Sequence, residues 1–206
     1  MSRIAPLLVA LFVLPAAAFA QSAPAQDRAA VTFNEIERGF FFGLQGGWLF
    51  MFEPPAAEGT DRPFSPGQMA FIEVGYEFGE RVSIAGFLMG SANRASSTYI
   101  GFSNAQASGD FSSLIPGGTV RVNIVGFNDS QEVKRTWLYA RGGAGYAMFW
   151  PKALIPEGDV LAFAGPGIEY FTKLRHFSIG LEVTGSLFLT TGAKAVTLTP
   201  NLRYAF

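Results

Sequence analysis

The chain has no cysteine and a single histidine, His176. Without thiols there are no disulfides, no thiolate metal sites, no cysteine nucleophile and no lipid-modified N-terminal cysteine of the kind that anchors lipoproteins. One imidazole does not build a histidine metal site, so neither metal nor cofactor is expected. Charge is also scarce: 15% of the 206 residues are ionic, 15 basic against 16 acidic. Nucleic-acid binding needs a basic surface, and this balance argues against it. A long helical span is missing as well. The strongest apolar segment of the expected mature chain, residues 39–52 (GFFFGLQGGWLFMF), is 14 residues long. As a helix it reaches about 21 Å, short of the roughly 30 Å hydrocarbon layer; as a tilted strand it crosses with ease.

What the chain does have is glycine (24), phenylalanine (21) and a hydrophobic content of 49%. It opens with Arg3, an apolar stretch over residues 4–13, and Ala18-Phe19-Ala20 before Gln21. These are the parts of a secretory leader with an A-x-A cleavage site. The expected organisation is therefore a signal peptide (1–20), an N-terminal tail (21–38) on the periplasmic side, and one domain (39–206).

That domain alternates with period two, the mark of a strand with one apolar and one polar face. In residues 195–206, Val196, Leu198, Pro200, Leu202, Tyr204 and Phe206 oppose Thr197, Thr199, Asn201, Arg203 and Ala205. The same alternation runs through residues 39–52, 68–78, 81–90, 118–127, 136–150, 160–171 and 177–189, which makes eight strands. Connections over 53–67, 91–117 and 151–159 are long and those over 79–80, 128–135 and 172–176 are short, while 190–194 is short for its side. Long loops at one end and short turns at the other predict an all-β fold, an eight-stranded antiparallel transmembrane up-and-down β-barrel with both termini periplasmic.

The apolar face gathers its large rings near strand ends: Phe40, Tyr76, Phe78, Trp137, Tyr170, Phe177, Tyr204 and Phe206 at one rim, and Trp48, Phe50, Phe52 and Trp150 at the other. Two such belts fit the two interfaces of a bilayer, with outer-membrane lipids as partners. The opposite face is mostly small, with a few charges, and suits an interior that side chains fill. There Glu73, Glu77, Glu169 and Glu182 face Arg121, Arg141 and Arg203, and pairing is expected because buried charges persist only when paired. No catalytic set emerges: His176 falls in a short turn without a serine partner. The glycines of 142–145 and 165–167 lie inside strand patterns with no helix following, so they are not phosphate loops.

The terminal pattern Leu202, Tyr204, Phe206 resembles the closing strand of bacterial outer-membrane barrels, which implies recognition by the barrel-assembly machinery. GIEYFTKLRHFSIGLEVTG (167–185) with the final NLRYAF resembles the closing region of the small OmpA/OmpX-type barrels. More narrowly, VTFNEIERGFFFG (31–43) and PFSPGQM (63–69) are similar to the CglE-type outer-membrane proteins of adventurous gliding motility. That resemblance implies a non-enzymatic component of a trans-envelope motility apparatus, with other motility or envelope proteins as partners. A narrow pore and a periplasmic lipid-binding barrel are the alternatives.

Overall fold

The period-two pattern closes on itself. In the computed structural model, which describes residues 36–52, 64–95, 109–151 and 158–206, eight strands follow in chain order. They are β1 (Phe40–Phe52), β2 (Gly67–Phe78), β3 (Val82–Ala95), β4 (Gly109–Asn128), β5 (Lys134–Trp150), β6 (Gly158–Phe171), β7 (Phe177–Phe188) and β8 (Lys194–Ala205). Each pairs antiparallel with its chain neighbours, and β8 returns to β1 to close the barrel. The expected leader and residues 21–35 of the tail lie outside the described residues.

Register fixes the stagger. Starting at Phe40, the paired positions run through Tyr76, Ile84, Val120, Gly142, Ala164, Gly185 and Val196 and return to the first strand at Phe50. The sheet therefore meets itself ten residues along. For eight strands, such a shear tilts every strand steeply against the barrel axis and leaves an interior that side chains fill.

Two boundaries differ from the sequence expectation. The connection over 91–117 is in large part strand: β3 continues to Ala95 and β4 begins at Gly109, paired with it. Pro116, Gly117 and Gly118 look like a loop in sequence, but they sit within β4 at an interruption of the ladder. The β4–β5 register steps from Leu114↔Met148 to Gly117↔Gly145 with no pairs between. Pro166 and Pro200 occupy matching interruptions in β6–β7 and β8–β1. Proline has no N–H for the ladder. Glycine stands beside each one and lets the neighbouring strand close in: a Cβ on Gly47 would collide with the Leu198 carbonyl, and one on Gly165 with the Val183 carbonyl.

The short loop after β7 is held by one buried carboxylate. Asp159 accepts from the backbone N–H groups of Val160 (2.7 Å), Thr190 (2.8 Å) and Thr191 (3.0 Å) and from the Thr191 hydroxyl (2.7 Å). Gly192 completes the turn at φ 72°.

Candidate functional site

Among the described residues the lumen gathers seven ionic side chains, and it has two levels. The half nearer the short turns is ionic. Glu73 and Glu77 come from β2, Arg121 from β4, Arg141 from β5, Glu169 from β6, Glu182 from β7 and Arg203 from β8, and all seven are buried. Arg203 donates to Glu77 at 2.7 Å and lies 3.6 Å from Glu73 and 3.7 Å from Glu169. Arg141 donates to Glu73 at 2.7 Å, to Glu182 at 3.3 Å and to the Thr119 hydroxyl at 3.0 Å. Arg121 pairs closely with Glu169, whose other oxygen accepts from the Ser178 hydroxyl at 2.6 Å. Tyr139 donates its phenol proton to Glu182 at 3.0 Å.

Each of these arginines also lies over an aromatic ring: Arg121 over Tyr139 (3.6 Å), Arg203 over Phe41 (4.1 Å) and Arg141 over Phe71 (4.6 Å). A guanidinium is weakly hydrated on its faces and donates in its plane, so ring stacking and carboxylate bonding operate together. Three arginines against four glutamates leave one negative charge over. Arg38, which precedes the first strand, supplies the balance at the mouth, 3.7 Å from Glu77 Oε2 and stacked on Phe171 at 5.3 Å. Sequence reasoning missed Arg38 because it lies outside any alternating segment.

The half nearer the long loops is dominated by aromatic and methionine side chains, which corrects the expectation of a small and ionic interior, with Ser91, Asn93, Ser113, Thr184 and Thr197 buried beside them and hydrogen-bonded among themselves. Phe71 stacks on Phe87 (4.7 Å), Phe87 meets Phe163 edge-on (5.6 Å), Phe149 packs on Phe188 (5.7 Å) and Phe64 on Phe111 (4.9 Å). Met51, Met69 and Met89 fill the gaps. Runs such as Phe40-Phe41-Phe42 and Leu49-Phe50-Met51-Phe52 carry apolar groups on both faces, so only the register tells which rings point inward. Between the two levels a cavity of about 20 Å³, bordered by Gln45, Phe163, Glu182 and Thr199, has room for roughly one water molecule.

Outside, the wall is apolar from rim to rim. At the turn end Phe40, Tyr76 and Phe78 form a chain of edge contacts at 5.0 Å, and Phe177, Tyr204 and Phe206 form another at 4.9 and 5.0 Å. Tyr170 is exposed at the same rim. At the loop end Trp48, Phe52 and Trp150 are exposed and Phe50 is half-buried. Leu202, Tyr204 and Phe206 all point outward, and Phe206, 69% exposed, ties its N–H to the Phe40 carbonyl at 2.9 Å.

Trp137 corrects the belt assignment. It is 1% exposed and faces inward, on the same side of β5 as Arg141. Its indole N–H donates to the Lys134 carbonyl at 3.1 Å, and its ring lies over Gly126, where a Cβ would come within 2.9 Å of it. A β-bulge between Asn123 and Val125 shifts the register there and turns Val125 and Phe127 out to the belt instead. The adjoining turn is organised by Asp129, which accepts from the N–H groups of Gln131 (2.8 Å) and Val133 (3.1 Å) and from Arg135 Nε (2.7 Å). Partial burial pushes its carboxyl up, but those three donors outweigh it and hold the group below the usual aspartate value.

An exterior of lipid-facing side chains bounded by two rings of aromatics, around a filled lumen, is the design of a transmembrane barrel. The fold is that of the small outer-membrane β-barrels. Neisserial surface protein A has the same architecture with a TM-score of 0.58 at 11% identity, over 84% of this chain and all of that one. OprG of Pseudomonas aeruginosa matches with a TM-score of 0.53 at 12% identity, over 84% of this chain and 98% of that one. No protein-family model matches the chain, and no curated protein matches it in sequence. What is shared at such identities is the fold.

The chemistry available is correspondingly limited. Glu73, Glu77, Glu169 and Glu182 are each engaged with an arginine, and the buried Asp159 is taken up by the donors of Val160, Thr190 and Thr191. His176 Nδ1 meets the Ala205 carbonyl at 2.8 Å and its ring stacks on Tyr204 at 5.3 Å. Its role is to join the turn before β7 to the end of β8. Among the described residues no group of three or more histidines, aspartates or glutamates is arranged around a metal position.

Proposed function

We propose that this chain is a non-enzymatic outer-membrane barrel that acts as a sealed structural element of the envelope, offering its loops and N-terminal tail to partners. The observation that carries this reading is the doubly filled lumen. The ionic level holds its charges in pairs that would have to be broken for an ion to pass, and the Phe/Met level packs its rings beside hydroxyls that are already bonded to one another, Ser91 to Ser113 and Thr184 to Thr197. A conducting pore is disfavoured for that reason. A periplasmic lipid-binding barrel is disfavoured because its apolar residues would line a cavity, whereas here Phe40, Val74, Ile84, Val120 and Ile179 stand on the outer wall. Planar-bilayer recording of the purified protein tests the sealed reading: a silent membrane is expected, and reproducible unitary conductance steps would overturn it.

The finer task rests on sequence resemblance. Residues 31–43 and 63–69 support a part in a trans-envelope gliding apparatus, in which a rigid, closed barrel serves as the outer-membrane fixture. Deletion of the gene followed by single-cell tracking tests that part independently; gliding at unchanged speed and frequency removes it while leaving the sealed barrel standing.

A further inference from the structure

The excess carboxylate of the ionic level falls at the turn-side mouth. Glu77, its side chain 4% exposed, gives one oxygen to Arg203 at 2.7 Å. No donor among the described residues reaches its other oxygen, Oε2, within hydrogen-bonding distance. A buried carboxylate oxygen without a donor is costly, so this atom calls for a cation. Its surroundings select the kind. The Gly79 carbonyl and the face of the Phe171 ring stand close enough to contact the same group. A planar cation that donates from its edge and is weakly hydrated on its faces meets all three at once, carboxylate and carbonyl in its plane and ring beneath. A compact ammonium is more strongly hydrated and has no flat face to stack.

Arg38 meets these groups at the outer limit of each interaction: 3.7 Å from Glu77 Oε2, 3.5 Å from the Gly79 carbonyl and 5.3 Å from the Phe171 centroid. Arg203 and Arg141 hold their carboxylates at 2.7 Å. Those two grow from the barrel wall, whereas Arg38 arrives on the segment before β1. Gly39 turns that segment into the strand at φ 137°, a conformation open chiefly to glycine. Glu37 fastens the same segment to the β6–β7 turn, pairing with the Arg175 guanidinium and donating its N–H to the Arg175 carbonyl at 3.4 Å. Arg38 also lines an open pocket of about 270 Å³ with Ile36, Glu80, Glu132, Val133 and Lys134. Its seat can therefore be reached from outside the lumen.

We propose that Glu77 Oε2, the Gly79 carbonyl and the Phe171 ring form a binding site for an alkylguanidinium, filled by Arg38 as a releasable latch. Seated, the side chain balances the lumenal charge and ties residues 36–38 across the mouth. Withdrawn, it leaves a site that another alkylguanidinium enters through the pocket. Attachment of the N-terminal segment thereby competes with guanidinium ligands, arginine side chains among them. This site goes beyond the sealed-barrel reading and does not depend on it.

Urea unfolding of the full-length barrel in vesicles tests the site. Arg38→Ala should lower the folding equilibrium constant by about tenfold, less than the loss of a fully buried partner. Ethylguanidinium chloride, far below denaturing concentration, should restore it; ethylammonium chloride should restore less, and sodium chloride at the same ionic strength nothing. Arg38→Gly serves in the same way if the alanine variant does not insert. The absence of cysteine allows a nitroxide to be placed at Ile36→Cys alone, and Arg38→Ala should raise its mobility whether or not ethylguanidinium is present, because the free ligand fills the site without tethering the chain. The proposal is overturned by unchanged stability, by a loss that ethylguanidinium leaves unreversed, by equal recovery in the three salts, or by a label as immobile without Arg38 as with it. Neither readout is bilayer conductance, so a conducting parent protein would remove the sealed reading and leave this result standing.

Discussion

Arg203 and Glu77 meet at 2.7 Å inside the barrel although 126 residues separate them in the chain. The contact spans the closure: Arg203 belongs to β8 and Glu77 to β2, with β1 between them. Arg203 also stands within 4 Å of Glu73 and Glu169, so it is the cation on which three carboxylates depend. Arg203→Ala leaves those carboxylates buried and under-compensated, a situation that typically costs about 3–5 kcal/mol. Denaturant unfolding in vesicles should show a loss of that order, and Arg203→Lys, which keeps the charge but not the planar fork, should recover part of it.

Gly47 and Gly86 make opposite predictions. Gly47 faces inward at the β1–β8 seam, directly beneath the Leu198 carbonyl, whereas nothing lies nearer than 4.0 Å to a Cβ on the outward-facing Gly86. Gly47→Ala should cost about 1–3 kcal/mol through backbone displacement, seen as a lower heat-modification temperature on gels. Gly86→Ala should leave that temperature unchanged or raise it, because the strand gains a residue with less backbone entropy to lose.

Asp159 holds the loop between β7 and β8 through three accepted hydrogen bonds. Asp159→Ala removes the acceptor and leaves the N–H groups of Thr190 and Thr191 without their side-chain partner, at a cost of about 1–3 kcal/mol. Limited proteolysis should cut at 189–193 in the variant and spare the parent.

Asp129 gives the β4–β5 turn a pH dependence of known sign. Its folded pKa lies below the ordinary aspartate value of 3.8, so the unfolded chain binds a proton at higher pH than the folded one. The stabilising contribution is complete above that ordinary value and fades as pH falls through the lower folded one. The melting difference between the parent and Asp129→Asn should therefore be constant from neutral pH down to the ordinary value and shrink below it; a difference that grows with acidification contradicts the assignment.

Strand count, handover from long loops to short turns, and the facing of the seven lumenal charges were legible because each alternates cleanly with apolar neighbours, as in Ile72-Glu73-Val74-Gly75-Tyr76. Legibility failed where that contrast vanishes. Phe41, Phe71, Phe149 and Phe188 have bulky apolar neighbours one residue away, so residue type does not decide which face is lumenal. Trp137 shares its parity with Arg141 and Tyr139, and its position relative to them, rather than its ring, was the informative signal. The start of β4 was hidden because Pro116-Gly117-Gly118 has the composition of a turn while serving a ladder interruption inside a strand. Arg38 has no periodic context at all, and only its placement across the mouth reveals the fourth cation.

The phenylalanine and methionine level has a consequence before the barrel exists. In its strands both faces of the pleat are oily: Leu49 and Met51 will face the interior while Trp48 and Phe52 face lipid, so the loop-side half of an unpaired β1 has no face that water tolerates. Such a segment cannot wait in aqueous solution as an amphipathic ribbon could. Closure of the wall is what removes both faces from water at once, the inner one into the Phe/Met level and the outer one into lipid.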